Sequence, residues 1–134
     1  MRLRLARSTV FSTGVRSAYG MACAVTGLQI SAGNQLHEVE AAHVVPLERG
    51  GCNDPRNGIA LCRTLHWAFD RGLFGVSDDR KVIVPARILS VAGNEPLGKI
   101  VGRSLREADR ESFRVHRDCL AWHRDNVMGR FDHY

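Results

Sequence analysis

The sequence predicts an α+β domain organised around a strand–loop–strand–helix unit, preceded by a helix and followed by a β-hairpin and one or more C-terminal helices. Three observations carry this prediction. Residues 36–45 alternate in side-chain character and stop at Pro46, as a strand does at a residue that cannot donate to a ladder. Residues 48–58 are crowded with Gly, Asn, Asp and Pro, which favour turns. The apolar triplet Ile59-Ala60-Leu61 then runs straight into a helical segment that ends at Gly72.

At 134 residues and 44% apolar, the chain suits one modest core, so a single domain over 1–134 is expected, with its motif core at about 36–74. The 19 basic side chains outnumber 14 acidic ones. Only Lys81 and Lys99 among them are not arginine. Arginine grips phosphate with two parallel hydrogen bonds, so this balance points to an anionic partner such as nucleic acid, although a basic, well-solvated surface explains net charge equally well. No apolar run approaches the roughly 18 residues that span a bilayer. Residues 1–15 alternate Arg with apolar residues and offer no signal-peptide core, so no membrane partner and a cytoplasmic location are expected. Cys23, Cys52, Cys62 and Cys119 are isolated from one another with no C-x-x-C pair, a pattern expected of reduced thiols.

Taken in order, residues 1–9 carry Arg2, Arg4 and Arg7 and read as a basic arm, an edge strand or a frayed end. Residues 10–23 place Phe11, Val15, Ala18 and Ala22 at three-to-four spacing, predicting an amphipathic helix that starts near Ser12 or Thr13. In the strand at 36–45, Val39, Ala41 and His43 share one face, and Glu38, Glu40 and Ala42 the other. The next helix is expected over 64–71 with Thr64 as its N-cap. Residues 73–76 and 81–84 flank Ser77-Asp78-Asp79-Arg80 as a hairpin. Ser104-Leu105-Arg106-Glu107 fits a capping box, and a stripe of Leu105, Ala108, Ser112, Val115, Cys119, Trp122 and Asn126 predicts helix running toward Val127.

The chemistry-bearing block is Glu40-Ala41-Ala42-His43-Val44-Val45-Pro46, then Asn57-Gly58, then His66-Trp67-Ala68-Phe69-Asp70. Singly, each piece has an ordinary explanation: a hydrogen-bonded strand histidine, a turn, and a surface pair one helical turn apart. Together and in this order they resemble the HNH (ββα-metal) endonuclease family. Cys23-Ala24-Val25-Thr26-Gly27, Asn57-Gly58-Ile59-Ala60-Leu61 and the run from Leu65 to Phe74 narrow the resemblance to the bacterial HNH group assigned to restriction endonucleases. It spans about residues 19–84 and continues weakly into Leu120-Ala121-Trp122-His123-Arg124.

The resemblance implies a ββα-metal core and hydrolysis of DNA phosphodiesters, with a role in restriction or defence. It makes His43 the general base, Asn57 the residue that orients it, and His66 a metal ligand. Asp70, four residues on, shares the helix face of His66 and can reach the same cation. Many family members carry a ligand immediately before the base histidine, and here that position is Ala42. Asp70, Glu40, or water and substrate oxygen would complete the coordination, a pattern that suits magnesium first, with manganese, zinc and nickel as alternatives. Arg63 and Arg71 flank the motif helix and are expected to contact phosphate, with Arg49 and Arg56 as further DNA-binding candidates. His37, His116, His123 and His133 are read as surface or packing residues, and Trp67, Leu65, Phe69 and Phe74 as the small core beneath the motif. A catalytically inactive nucleic-acid-binding module that keeps this fold, and a zinc-binding domain using the cysteines, are the rival readings. A double-strand break would call for a homodimer or two events, and sequence recognition for a fused or partner domain.

Overall fold

In the computed structural model, which describes residues 2–33 and 36–131, with side chains described from Ser8 onward, the predicted unit is present. Strand β1 (Glu40–His43) pairs antiparallel with β2 (Gly58–Leu61) in the register Glu40 to Leu61 and His43 to Gly58. Helix α2 (Arg63–Asp70) follows β2 directly. The short hairpin β3 (Gly75–Val76) and β4 (Val82–Ile83) comes next. Its turn takes Arg80 into left-handed backbone at φ 65°.

The first helix, α1, spans Arg2–Ala18, beginning well before the Ser12 or Thr13 start and ending before Cys23. Its first turns lack an apolar stripe, so periodicity could not find them. The backbone of the expected arm at 1–9 is therefore helical from Arg2, while the side chains of Arg2, Arg4 and Arg7 lie outside the described residues. Phe11, Val15 and Ala18 face inward at 3%, 1% and 2% exposure and lie across the two-stranded sheet. Gly58 permits that crossing, because a Cβ there would sit 2.6 Å from Val15 and 2.8 Å from Phe11.

The strand expected over 36–45 is confined to four residues, because the chain first turns back on itself through a bridge between Ser31 and His37. Ala42 and Val44 point into the core on one face of β1. Helix α2 begins one residue earlier than expected, with Cys62 rather than Thr64 at its N-cap. It ends against Gly72 (φ 77°), where a Cβ would collide with the Val127 carbonyl. Leu65, Phe69 and Phe74 are buried as expected, whereas Trp67 is 53% exposed and lies under Arg71.

The capping box at Ser104 does not start a helix. Ser104 bridges Lys81, and the Leu105 and Arg106 amides donate to the carbonyls of Arg80 and Ala24. Glu107 is held by Arg80 at 2.9 Å instead of returning to Ser104. These long-range bonds outbid the local cap, and the segment becomes an extended clamp across the hairpin. Two four-residue helices precede it, α3 (Ala86–Leu89) and α4 (Glu95–Gly98). The last helix, α5 (Arg117–Asn126), buries Leu120 and His123, and Val127 just beyond it is also buried, so its inward face is displaced by one residue from the Cys119, Trp122, Asn126 stripe. Among the described residues no helix is long and apolar enough to cross a membrane.

Candidate active site

Two hydrogen-bonded carboxylates bracket the His66 ring. Its Nδ1 meets Glu40 Oε1 at 2.9 Å and its Nε2 lies 3.3 Å from Asp70 Oδ2. The Asp70 contact, one turn along α2, follows from helical spacing; the Glu40 contact follows from β1 running alongside α2. The pKa of His66 is raised, chiefly by the bond to Asp70, with burial opposing and Glu40 reinforcing. Glu40 and Asp70 therefore meet opposite edges of one imidazole, and only Asp70 shares the Nε2 side. The Glu40 carboxylate also receives Arg63, Nε to Oε2 at 3.5 Å.

His43 ends β1 and faces the same hollow as His66. Its ring is stacked on Phe11 of α1, centroids 4.0 Å apart and planes within 8°. Its Nε2–H donates to Asn53 Oδ1 at 2.8 Å, which leaves the lone pair on Nδ1. Asn53 went unremarked in the sequence, where it is one polar residue in a stretch full of them.

Asn57 is 2% exposed and sits beneath that loop rather than against the imidazole. Its Nδ2 donates to the carbonyls of Val45 (2.9 Å) and Cys52 (3.0 Å), and its Oδ1 accepts from the Val45 amide (2.9 Å). These bonds tie the residues just after His43 to the residue just before Asn53. Gly51 makes the same fold possible, since a Cβ there would lie 1.8 Å from the Val45 carbonyl oxygen. Asn57 thus joins the backbone that follows His43 to the loop that carries Asn53, the hydrogen-bond partner of the His43 ring.

The hollow that gathers these groups has a volume of about 370 Å³ and is lined by His43, His66 and Asp70, with Glu48, His123 and Val127 opposite. Among the described residues, no three His, Cys, Asp or Glu side chains lie close enough together to hold a metal by themselves. Ala42 is fully buried beneath the sheet and offers no donor. What faces the hollow is a two-donor edge, His66 Nε2 with Asp70, and that fits a hard cation which keeps water and substrate oxygens in its remaining positions.

His123, expected as a surface or packing residue, is buried at 2% exposure. It stacks flat on Phe69 (3.7 Å, 5°), and its Nε2–H donates to the Phe69 carbonyl at 2.7 Å. Burial first, with the Phe69 bond opposing, lowers its pKa to about 4. Sequence gave no signal for this role, because the partner lies 54 residues away. His37 and His116 are not buried, and His133 lies outside the described residues.

The four candidate arginines part company. Arg63 adjoins Glu40; Arg71 covers Trp67 (4.5 Å) and donates to the Trp67 carbonyl. Arg49 lies over Trp122 (4.9 Å), on the loop that leaves β1. Arg56 is paired with Asp54 (3.3 Å). A hydrogen bond from Cys62 to the Cys23 sulfur lowers the Cys23 pKa. Cys52 and Cys119 interact electrostatically elsewhere.

A family model described as HNH endonuclease matches residues 23–77, which include both strands, α2 and β3. Among solved structures, a modification-dependent TagI restriction endonuclease superposes with a TM-score of 0.68 at 25% identity. The match covers 87% of this chain and 37% of that one, so this chain spans little more than a third of that enzyme's length. Among curated proteins, no sequence matches. Residues 23–77, a ββα unit with its histidines facing one hollow, are thus similar to HNH endonucleases in sequence and in fold.

Proposed function

We propose that this chain is a metal-dependent endonuclease that hydrolyses DNA phosphodiester bonds, acting in the cytoplasm in restriction or defence. The observation that carries the reading is the single hollow into which His43 and the His66–Asp70 edge both face. Hydrolysis needs a base for water and a cation to stabilise charge, and the two sets of groups reach this hollow from β1 and from α2.

In this reading His43 takes the proton from the attacking water at Nδ1. Asn53 holds Nε2 as the donor, and Phe11 keeps the ring plane from rotating. His66 Nε2 and Asp70 would hold a divalent cation, magnesium first, with manganese, zinc or nickel as alternatives; when bound, it supplies stabilisation of charge on the phosphate and the leaving oxygen. Glu40 accepts Nδ1–H of His66 and so turns Nε2 toward the cation. Carboxylates placed in this way behind a ligating histidine fix its tautomer and raise its basicity. Glu40 is therefore assigned to orientation rather than ligation. Arg63, Arg71 and Arg49 contribute to holding the DNA backbone, while Arg56 is committed to Asp54.

Because the modification-dependent enzyme that this chain resembles is much longer, sequence or modification recognition is assigned to a fused or partner domain. A chain with one such site cuts one strand per engagement, so a double-strand break would follow from a homodimer or from two events. Supercoiled plasmid incubated with magnesium or manganese, with and without chelator, tests the proposal. Metal-dependent nicking or linearisation is expected. DNA retarded on a gel but never cut would favour an inactive binding module.

A further inference from the structure

A second hollow, of about 410 Å³, opens beside the first between α1 and the start of α2. The two share Ala41 and His66, so they adjoin, with His66 between them. The walls of the second hollow are polar and include Ser12 and Arg16 from α1, His37 and Glu40 ahead of and within β1, and Arg63 from α2. Arg16 engages the Ser12 carbonyl through Nε (3.3 Å), and Arg63 approaches Glu40 through Nε (3.5 Å) with 72% of its side chain exposed. Glu40 is the only carboxylate among these lining residues, and it is already shared by His66 and Arg63. Glu38, next to the hollow, accepts from the Arg63 amide and so anchors that residue's backbone.

We infer that this hollow is a phosphate subsite for the DNA strand being cut. Arg16 and Arg63 hold a backbone phosphate adjacent to the one placed between His43 and His66. Contact through Nε on the protein side leaves the terminal amino groups of each guanidinium for phosphate oxygens, the arrangement in which arginine surpasses lysine. The inference rests on the nuclease reading and deepens it. It assigns α1, outside the family-matched segment, a direct part in substrate binding, and it gives the strand a path across the two adjoining hollows from Asp70 past His66 to Arg16.

The test is equilibrium binding of a fluorescent duplex by anisotropy, in chelator so that no strand is cut, over a series of salt concentrations. Loss of one phosphate contact lowers the slope of log affinity against log salt by about 0.9 and weakens binding about five- to tenfold near 0.1 M salt. Arg16→Gln is expected to show that loss, Arg16→Gln/Arg63→Gln about twice the change in slope, and Arg16→Lys a wild-type slope. Thermal melting checks that α1 still packs, and if Arg16→Gln fails to fold, the exposed Arg63→Gln carries the test alone. Variants that bind with wild-type affinity and slope overturn the subsite and leave the nuclease reading standing. A wild-type chain that does not bind duplex overturns both.

Discussion

His123 on α5 donates its Nε2–H to the carbonyl of Phe69 on α2 and lies flat against the Phe69 ring, joining the last helix to the turn that carries Asp70. The carbonyl fixes the neutral tautomer with its proton on Nε2. The buried Nδ1 finds no hydrogen-bond partner among the described residues, so a second proton would be buried without one.

Stability should therefore fall in mild acid. The His123 pKa is about 4 in the folded chain against 6.5 unfolded, so between these values the unfolded chain binds more protons. The contribution is fully present above pH 6.5 and lost as pH falls through 4, at most about 3 kcal/mol. His66 has the opposite sign, because its raised pKa adds stability below 6.5 that is lost as pH climbs through the folded value. Urea unfolding of wild type and His123→Phe at several pH values separates them. Wild type should lose stability relative to His123→Phe as pH falls toward 4, and a difference that stays constant would contradict the assignment.

Metal binding should release a proton. The Asp70 carboxylate beside Nε2 raises the His66 pKa and so favours a proton on that edge in the metal-free chain, which a cation must displace. Calorimetric titration with manganese at pH 7 in two buffers of different ionisation enthalpy is expected to give different apparent heats. Equal heats would count against His66 as a ligand. Glu40→Gln should weaken the affinity about 10- to 100-fold, the usual cost of losing a group that orients a ligand.

Asn57→Ala should destabilise the chain by about 2–4 kcal/mol, because Val45 and Cys52 lose their partner at a site closed to water. Denaturant unfolding reads this directly. Asn53→Ala should cost little stability, since Asn53 is part-exposed, yet slow cutting by releasing the His43 ring. Equal effects of the two substitutions on stability would show that their roles are not divided in this way.

The ββα unit was legible because each part carries a local signal: Pro46 after the strand, turn residues at 48–58, and Gly72 beyond the helix. The contact between His66 and Asp70 was legible for the same reason, since an i,i+4 spacing is a short-range fact. The Asn53 contact was not, because it depends on how the loop doubles back over Gly51, and many turn-rich sequences would spell that loop. Helix α1 was misjudged at its start because an arginine-rich first half has no apolar period. The Ser104 capping box failed because backbone bonds to Arg80 and Ala24 and the Arg80–Glu107 pair compete for the same groups.

The central claim, that His43 is the base opposite a cation edge formed by His66 and Asp70, is tested most directly by single-turnover cleavage of a short duplex by wild type and His43→Ala in saturating magnesium or manganese. Metal affinity and melting temperature are measured on the same samples. The account predicts a rate loss of about 10²- to 10⁴-fold with affinity and melting temperature unchanged. Cleavage retained by His43→Ala at near wild-type rate would contradict it.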